Sequence, residues 1–268
     1  MACAGGQPIG ATNCLNFGNP ERPEIMWQFA RAVEGIGAAC RALDIPITGG
    51  NVSLYNETDG KAILPTPVIG VVGLIEDAAR VVRRAFLGEG DAIVLLGETR
   101  DELGGSEYLK VVHGVVRGVP PWLDLEREAA LQRLLVRGVS RGLIRSAHDC
   151  AEGGLAVTLA ECCFDTGLGA DADIPAVDAA ASGFRDVAAL FSESASRVVV
   201  SVDAGRTAEL QALAAESDVP ATMIGRVGGN RIRVAVAGRG VLDEPLGEAE
   251  RFWSDAIGNY FESQRAIA

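Results

Sequence analysis

Residues 45–53 read Ile45-Pro46-Ile47-Thr48-Gly49-Gly50-Asn51-Val52-Ser53, and the fold of the N-terminal part of the chain turns on them. Ile45–Thr48 has the apolar, branched character of a brief strand running into a glycine pair, and 52–55 continues as extended chain. Upstream, Pro23 suits the first turn of a helix with Glu24 beside it. Ile25, Phe29, Val33, Ile36, Cys40 and Leu43 then recur at helical spacing. Earlier still, residues 7–12 read as a short strand and Asn13–Pro20 as a polar loop. Downstream, Thr58-Asp59-Gly60 is a hairpin turn, and 62–64 and 67–75 are the next strands. The order β-α-β-β-β predicts an α+β layer with its helix on one face.

Outward from this unit, residues 76–88 read as a connector. A second unit then alternates helices and strands, with strands expected near 92–97, 145–148, 197–203, 221–227 and 231–236. Helices are expected near 106–113, 124–142, 154–164 and 206–217. The fold class is therefore α+β followed by α/β, in two domains, 1–77 and 88–268.

Composition narrows the function. Twenty-four Lys+Arg against thirty-six Asp+Glu give 24 − 36 = −12, a poor balance for binding a nucleic-acid backbone. Small anions stay open, because backbone N–H groups and Mg²⁺ hold phosphate without net basic charge. No window approaches ~18 unbroken apolar residues, so no membrane span is expected. The N-terminus has neither a basic n-region nor an apolar h-region. Six cysteines without a CxxC, and two histidines, argue against zinc and for reduced thiols in the cytoplasm. Glycine is in excess, 33 of 268 residues against a usual ~7%, with pairs at 5–6, 49–50, 104–105, 153–154 and 228–229. Such pairs allow close backbone approach to a ligand, or simply form turns.

Several stretches could carry chemistry. Asn13, Asn16 and Asn19 are either a structural Asx loop or amides presented to a nucleotide before a helix. In the Gly49-Gly50-Asn51-Val52-Ser53 turn, Asn51 offers a hard amide oxygen acceptable to Mg²⁺ and Ser53 a hydroxyl, on one face if the chain is extended. The alternative is a plain β-turn. Ser146–Leu155, with His148, Asp149 and Gly153-Gly154, opens a helix and offers an anion cradle, while His148 reads more simply as a cap or packed residue. Glu193 and Arg197 either pair across a turn or line a cleft. Ser106 is a plain N-cap. No Walker A or Rossmann fingerprint is present.

The strings TNCLNFGNPERPEIMWQF, GGNVSLYNET, LPTPVIGVVGLIED, LGGSEYL, SAHDCAEGGLAVTLAE and FSESASRVVVSV, in this order, resemble the second half of the phosphoribosylformylglycinamidine synthase family. The likeness runs over nearly the whole chain, through Phe252-Trp253. It implies an ATP-dependent C–N ligase of purine biosynthesis. Such a ligase converts formylglycinamide ribonucleotide to its amidine with glutamine-derived ammonia, ATP activating the amide oxygen as an iminophosphate. It implies a partial aminoimidazole-ribonucleotide-synthetase-like N-terminal domain, whose sheet pairs into a barrel, and the family's α/β C-terminal domain. By position, Asn13 and Gly50 correspond to ATP contacts, Asn51 to a Mg²⁺ ligand and Ser53 to a ribonucleotide contact. Many family members have Asp at the position of Asn13; Asn keeps an acceptor but not the charge, which implies a hydrogen bond to nucleotide rather than to metal.

The family's first half, with its catalytic histidine, metal-binding carboxylates and phosphate-contacting lysine, has no counterpart here. The expectation is therefore no catalytic residue in this chain, and an incomplete, inactive enzyme without its partners. Those partners are the N-terminal half of the same synthetase and a glutaminase supplying ammonia. A non-catalytic nucleotide-binding or scaffold piece of the same fold is the alternative.

Overall fold

The computed structural model describes residues 1–178 and 184–265. The chain forms two compact units, Met1–Ala2 with Gly6–Ala78, and Cys3–Gly5 with Ala79–Ala268.

In the first unit β1 (Gln7–Asn16) is the centre of a three-stranded sheet. The helix α1 (Pro23–Leu43) begins at Pro23 as the sequence predicts, and ends at Asp44 in the left-handed region (φ 53°). It leads into β2 (Ile47–Ser53), parallel to β1. The hairpin β3 (Glu57–Thr58) and β4 (Lys61–Ala62) turns through Asp59 and Gly60, both at positive φ. β5 (Thr66–Leu74) returns antiparallel on the other side of β1. Leu15, Phe17 and Ile25 form the small core, and Phe17 meets Phe29 edge-on at 5.2 Å.

Three expectations need correcting here. The polar loop predicted from Asn13 is strand as far as Asn16, because β1 has a partner on both sides and its backbone groups are held in ladders. The glycine pair is likewise no turn: Gly49 and Gly50 lie inside β2, paired with Thr12 and Asn13. Residues 62–64 contribute only Ala62 to a ladder.

The second unit is built on a seven-stranded sheet. β6 (Ala92–Leu96) lies between β9 (Val198–Val202) and β10 (Ala221–Val227), antiparallel to both. β7 (Ser146–Asp149) extends the sheet beyond β9. On the other side come β8 (Ala170–Ile174), β11 (Arg231–Val236) and β12 (Arg239–Pro245). β6 and β9 are buried at every residue, so both faces of these central strands are covered.

One face packs Ile93, Leu95 and Val199 on α4 (Gly154–Cys163) and α5 (Arg185–Phe191). The other α-helices among the described residues are α2 (Glu107–His113), α3 (Leu125–Ser140), α6 (Thr207–Glu216), α7 (Leu246–Ser254) and α8 (Ala256–Arg265). α3 buries Leu131, Leu134, Leu135 and Val139, the stripe its sequence spacing gives. Ser106 caps α2, as expected, by accepting the Leu109 N–H. The sequence reading missed β8, β12, α5, α7 and α8. Ala-Asp-Ala-Asp-Ile of β8 carried the signal: its residues alternate buried and exposed, although Asp is a poor strand former.

Candidate functional site

The sequence-predicted residues Asn13, Gly50, Asn51 and Ser53 lie on the adjacent parallel strands β1 and β2. Asn13 is in register with Gly50, and Ser53 with Asn16. Strand alternation divides them between two faces: Asn13 and Gly50 on one, Asn51 and Ser53 on the other. β2 has β1 as its single neighbour in this sheet among the described residues, so all four stand at or beside a sheet edge.

Gly50 has a structural reason to be glycine. A Cβ there would fall on Asn13 Oδ1 and come within 2.5 Å of the Asn13 carbonyl oxygen. Thr12 reinforces the pairing, its hydroxyl donating to the Gly49 carbonyl at 3.0 Å.

Asn51 is exposed, and among the described residues its side chain makes no hydrogen bond. Ser53 is different. Its hydroxyl lies 3.2 Å from Asn56 Oδ1, and Asn56 Nδ2 donates to the carbonyls of Ser53 (2.9 Å) and Phe17 (3.0 Å). Sequence reading gave Asn56 no role of its own. Its signal was its place three residues after Ser53, where an Asn amide reaches back to backbone.

In the second unit the residues singled out by sequence are committed to internal structure. Gly153, at φ 81°, is the N-cap of α4, but the cradle is filled by the chain itself. Glu193 Oε1 accepts from the Gly153 N–H and from the Glu107 N–H at the start of α2, both at 2.9 Å. Arg197 is buried; its guanidinium donates to the carbonyls of Ser192 (2.6 Å) and Ser194 (2.9 Å) and to Thr99 Oγ1 (2.9 Å). Among the described residues Glu193 and Arg197 make no ion pair with each other; each is held by other partners. A carboxylate finds better partners in two free helix N–H groups.

His148 is packed, the simpler of the two readings of its sequence. Its Nε2 lies 2.7 Å from Glu161 Oε2, and Glu161 Oε1 accepts the Trp253 indole N–H at 3.1 Å. The carboxylate of Asp149, 3.7 Å from Nδ1, and the hydrogen bond to Glu161 hold the imidazole pKa above its ordinary value against desolvation. Asp149 is pushed down in turn, chiefly by its neighbour His148. Burial pushes the Cys163 thiol up to about 12 and raises Cys150 and Cys162 as well, so these thiols are packing groups rather than nucleophiles. No helix among the described residues is long and apolar enough to cross a membrane.

Comparison with known proteins identifies the fold. The AIR synthase related protein N-terminal domain family matches residues 1–75, and the corresponding C-terminal domain family matches residues 88–237. The phosphoribosylformylglycinamidine synthase subunit PurL of Anaeromyxobacter sp. (strain Fw109-5) is 49% identical over 261 residues, which cover 96% of this chain and 34% of the relative. The PurL subunit of Moorella thermoacetica is 48% identical over 257 residues, with the same coverage. The chain thus spans about a third of the length of the curated relatives it matches. Among solved structures, Thermotoga maritima PurL complexed with FGAR superposes with a TM-score of 0.74 at 18% identity, over 93% of this chain and 40% of that one. The complex of the same protein with ATP gives 0.69 at 19% identity, over 92% and 38%. By sequence and by fold, the chain belongs to the AIR synthase related protein family, carrying its N-terminal domain followed by its C-terminal domain.

Proposed function

We propose that this chain is the C-terminal half of an ATP-dependent phosphoribosylformylglycinamidine synthase, a cytoplasmic C–N ligase of purine biosynthesis. The observation that carries the reading is 49% identity to a PurL subunit across 96% of the chain. In this reading residues 1–77 are part of a barrel-forming synthetase domain and 88–268 its α/β companion. Because the chain spans 34% of that relative, turnover calls for the rest of the synthetase, its N-terminal half above all, and a glutaminase that delivers ammonia. The exposed apolar residues of β5, among them Val68, Val72 and Leu74, suit a sheet that closes against another domain.

Asn13 and Gly50 are assigned to ATP on one face of the strand pair. Asn51 and Ser53 are assigned to Mg²⁺ and the formylglycinamide ribonucleotide on the other, so the ligands meet around the β2 edge. The free amide oxygen of Asn51 fits Mg²⁺ as one hard donor. No group of three or more His, Cys, Asp or Glu able to hold a metal occurs among the described residues. The remaining ligands then come from phosphate, water and the other half of the enzyme. When bound, Mg²⁺ supplies neutralisation of charge on phosphate oxygens. This chain's own part is to bind and orient; no general base is assigned to it.

The test is to mix the chain with the separately expressed first half and assay amidine formation from ribonucleotide, ATP and ammonia. Product from the mixture supports the ligase reading. Nucleotide binding without product from a folded mixture supports the non-catalytic scaffold.

A further inference from the structure

The loop after β2 is held by one side chain. Asn56 Nδ2 donates to the Phe17 carbonyl at 3.0 Å and the Ser53 carbonyl at 2.9 Å. Carbonyl oxygens only accept, so the amide nitrogen, and not Oδ1, must face them; both of its protons are then committed. Oδ1 is left 3.2 Å from Ser53 Oγ and takes that hydroxyl's proton. The nitrogen also lies 3.1 Å from Ser53 Oγ, a contact that at most shares a proton already given to one of the carbonyls. The backbone repeats the clamp: Phe17 N–H donates to the Ser53 carbonyl, Asn56 N–H to the Phe17 carbonyl, and Tyr55 N–H to the Gly18 carbonyl. Between Ser53 and Asn56, Tyr55 is held at φ 60°, a conformation costly for an aromatic residue.

Resting on the function proposed above, we infer that Asn56 is a positioning residue that consumes the Ser53 proton and turns the hydroxyl into an acceptor. The substrate group that Ser53 meets is then a hydrogen-bond donor, a ribose hydroxyl or an amide N–H, and not a phosphate oxygen.

The experiment uses the enzyme reconstituted with its first half, measuring KM for the ribonucleotide and for ATP beside thermal melts. Asn56→Ala and Ser53→Ala are each expected to raise the ribonucleotide KM about fivefold while the ATP KM stays within about twofold. The double variant is expected to be no worse than Ser53→Ala alone, because Asn56 acts through that hydroxyl. Ser53→Asp, an acceptor without a donor, is expected to bind the ribonucleotide at least as well as Ser53→Ala. Multiplying effects in the double variant, or equal shifts of both KM values that track melting, would make Asn56 merely structural and overturn the inference. A ribonucleotide KM for Ser53→Asp far above that of Ser53→Ala would place a phosphate at Ser53 and overturn it too. An inactive wild-type mixture overturns the function reading with it; these outcomes in an active one overturn this inference alone.

Discussion

Glu193 caps Gly153 across forty residues of chain: its Oε1 accepts the Gly153 N–H at the start of α4, and the same atom accepts the Glu107 N–H at the start of α2. One carboxylate oxygen thus anchors two helices to the loop between α5 and β9. That loop also ties the chain after β6: Ser192 Oγ accepts the Glu102 N–H, and Ser194 Oγ accepts the Arg100 N–H.

Removing this cap should cost stability rather than ligand affinity. Glu193→Ala deletes two charge-assisted hydrogen bonds and is expected to destabilise by about 3 kcal/mol. Glu193→Gln keeps an acceptor and is expected to lose about half as much. Urea unfolding of the three proteins checks both values; an unchanged midpoint for Glu193→Ala would contradict the anchoring role.

Arg197 is the partner hub of the same loop. Arg197→Met keeps length but strands the Ser192 and Ser194 carbonyls, which are among its acceptors. The expected loss is about 3 kcal/mol, read from the same unfolding curves. A loss below about 1 kcal/mol would mean that water or neighbouring donors replace the guanidinium.

Gly50→Ala should destabilise the first unit by about 1–3 kcal/mol, the cost of forcing a methyl group onto Asn13. Adding Asn13→Ala should restore only part of this, because the Asn13 carbonyl oxygen remains 2.5 Å from the new carbon. Thermal melts of the single and double variants without ligand provide the measurement. Full stability in Gly50→Ala would leave nucleotide approach as the sole reason for glycine there.

Much of the architecture could be read from the sequence, and the misreadings share a cause. Helices α1 and α3 were legible because their apolar stripes, and Pro23 at the start of α1, act within the segment. Asn13, Asn16, Gly49 and Gly50 were read as loop and turn because Asn and Gly favour such conformations locally. Pairing of β1 with both β2 and β5 overrides that preference, and no local signal announces it. Asn51 and Ser53 were correctly expected to share a face, but Asn13 and Gly50 fall on the other, which depends on register. The partners of Glu193 lie 40 and 86 residues away, so its capping role was not legible.

The His148–Glu161–Trp253 chain should make the docking of α7 pH-dependent. The folded-state pKa of His148 is raised above its ordinary value, first by Asp149. Its stabilising contribution is therefore fully present below the unfolded value of about 6.5 and is lost as pH rises through the raised folded value. The stability difference between wild type and His148→Gln should be largest near about pH 5.5 and shrink toward about pH 9. Trp253 fluorescence during unfolding follows the same contact. A difference that grows with pH would reverse the assigned sign.

The central claim is that these strands and loops supply binding groups to a ligase completed by another polypeptide segment. Its most direct measurement is the initial rate of ATP- and ammonia-dependent amidine formation for the chain alone, for the chain mixed with its first half, and for the same mixture carrying Asn51→Leu. The account predicts no turnover by the chain alone, clear turnover by the mixture, and a Mg²⁺-dependent loss in Asn51→Leu at unchanged melting temperature. Robust turnover by the chain alone, or a folded mixture that makes no amidine, would contradict it.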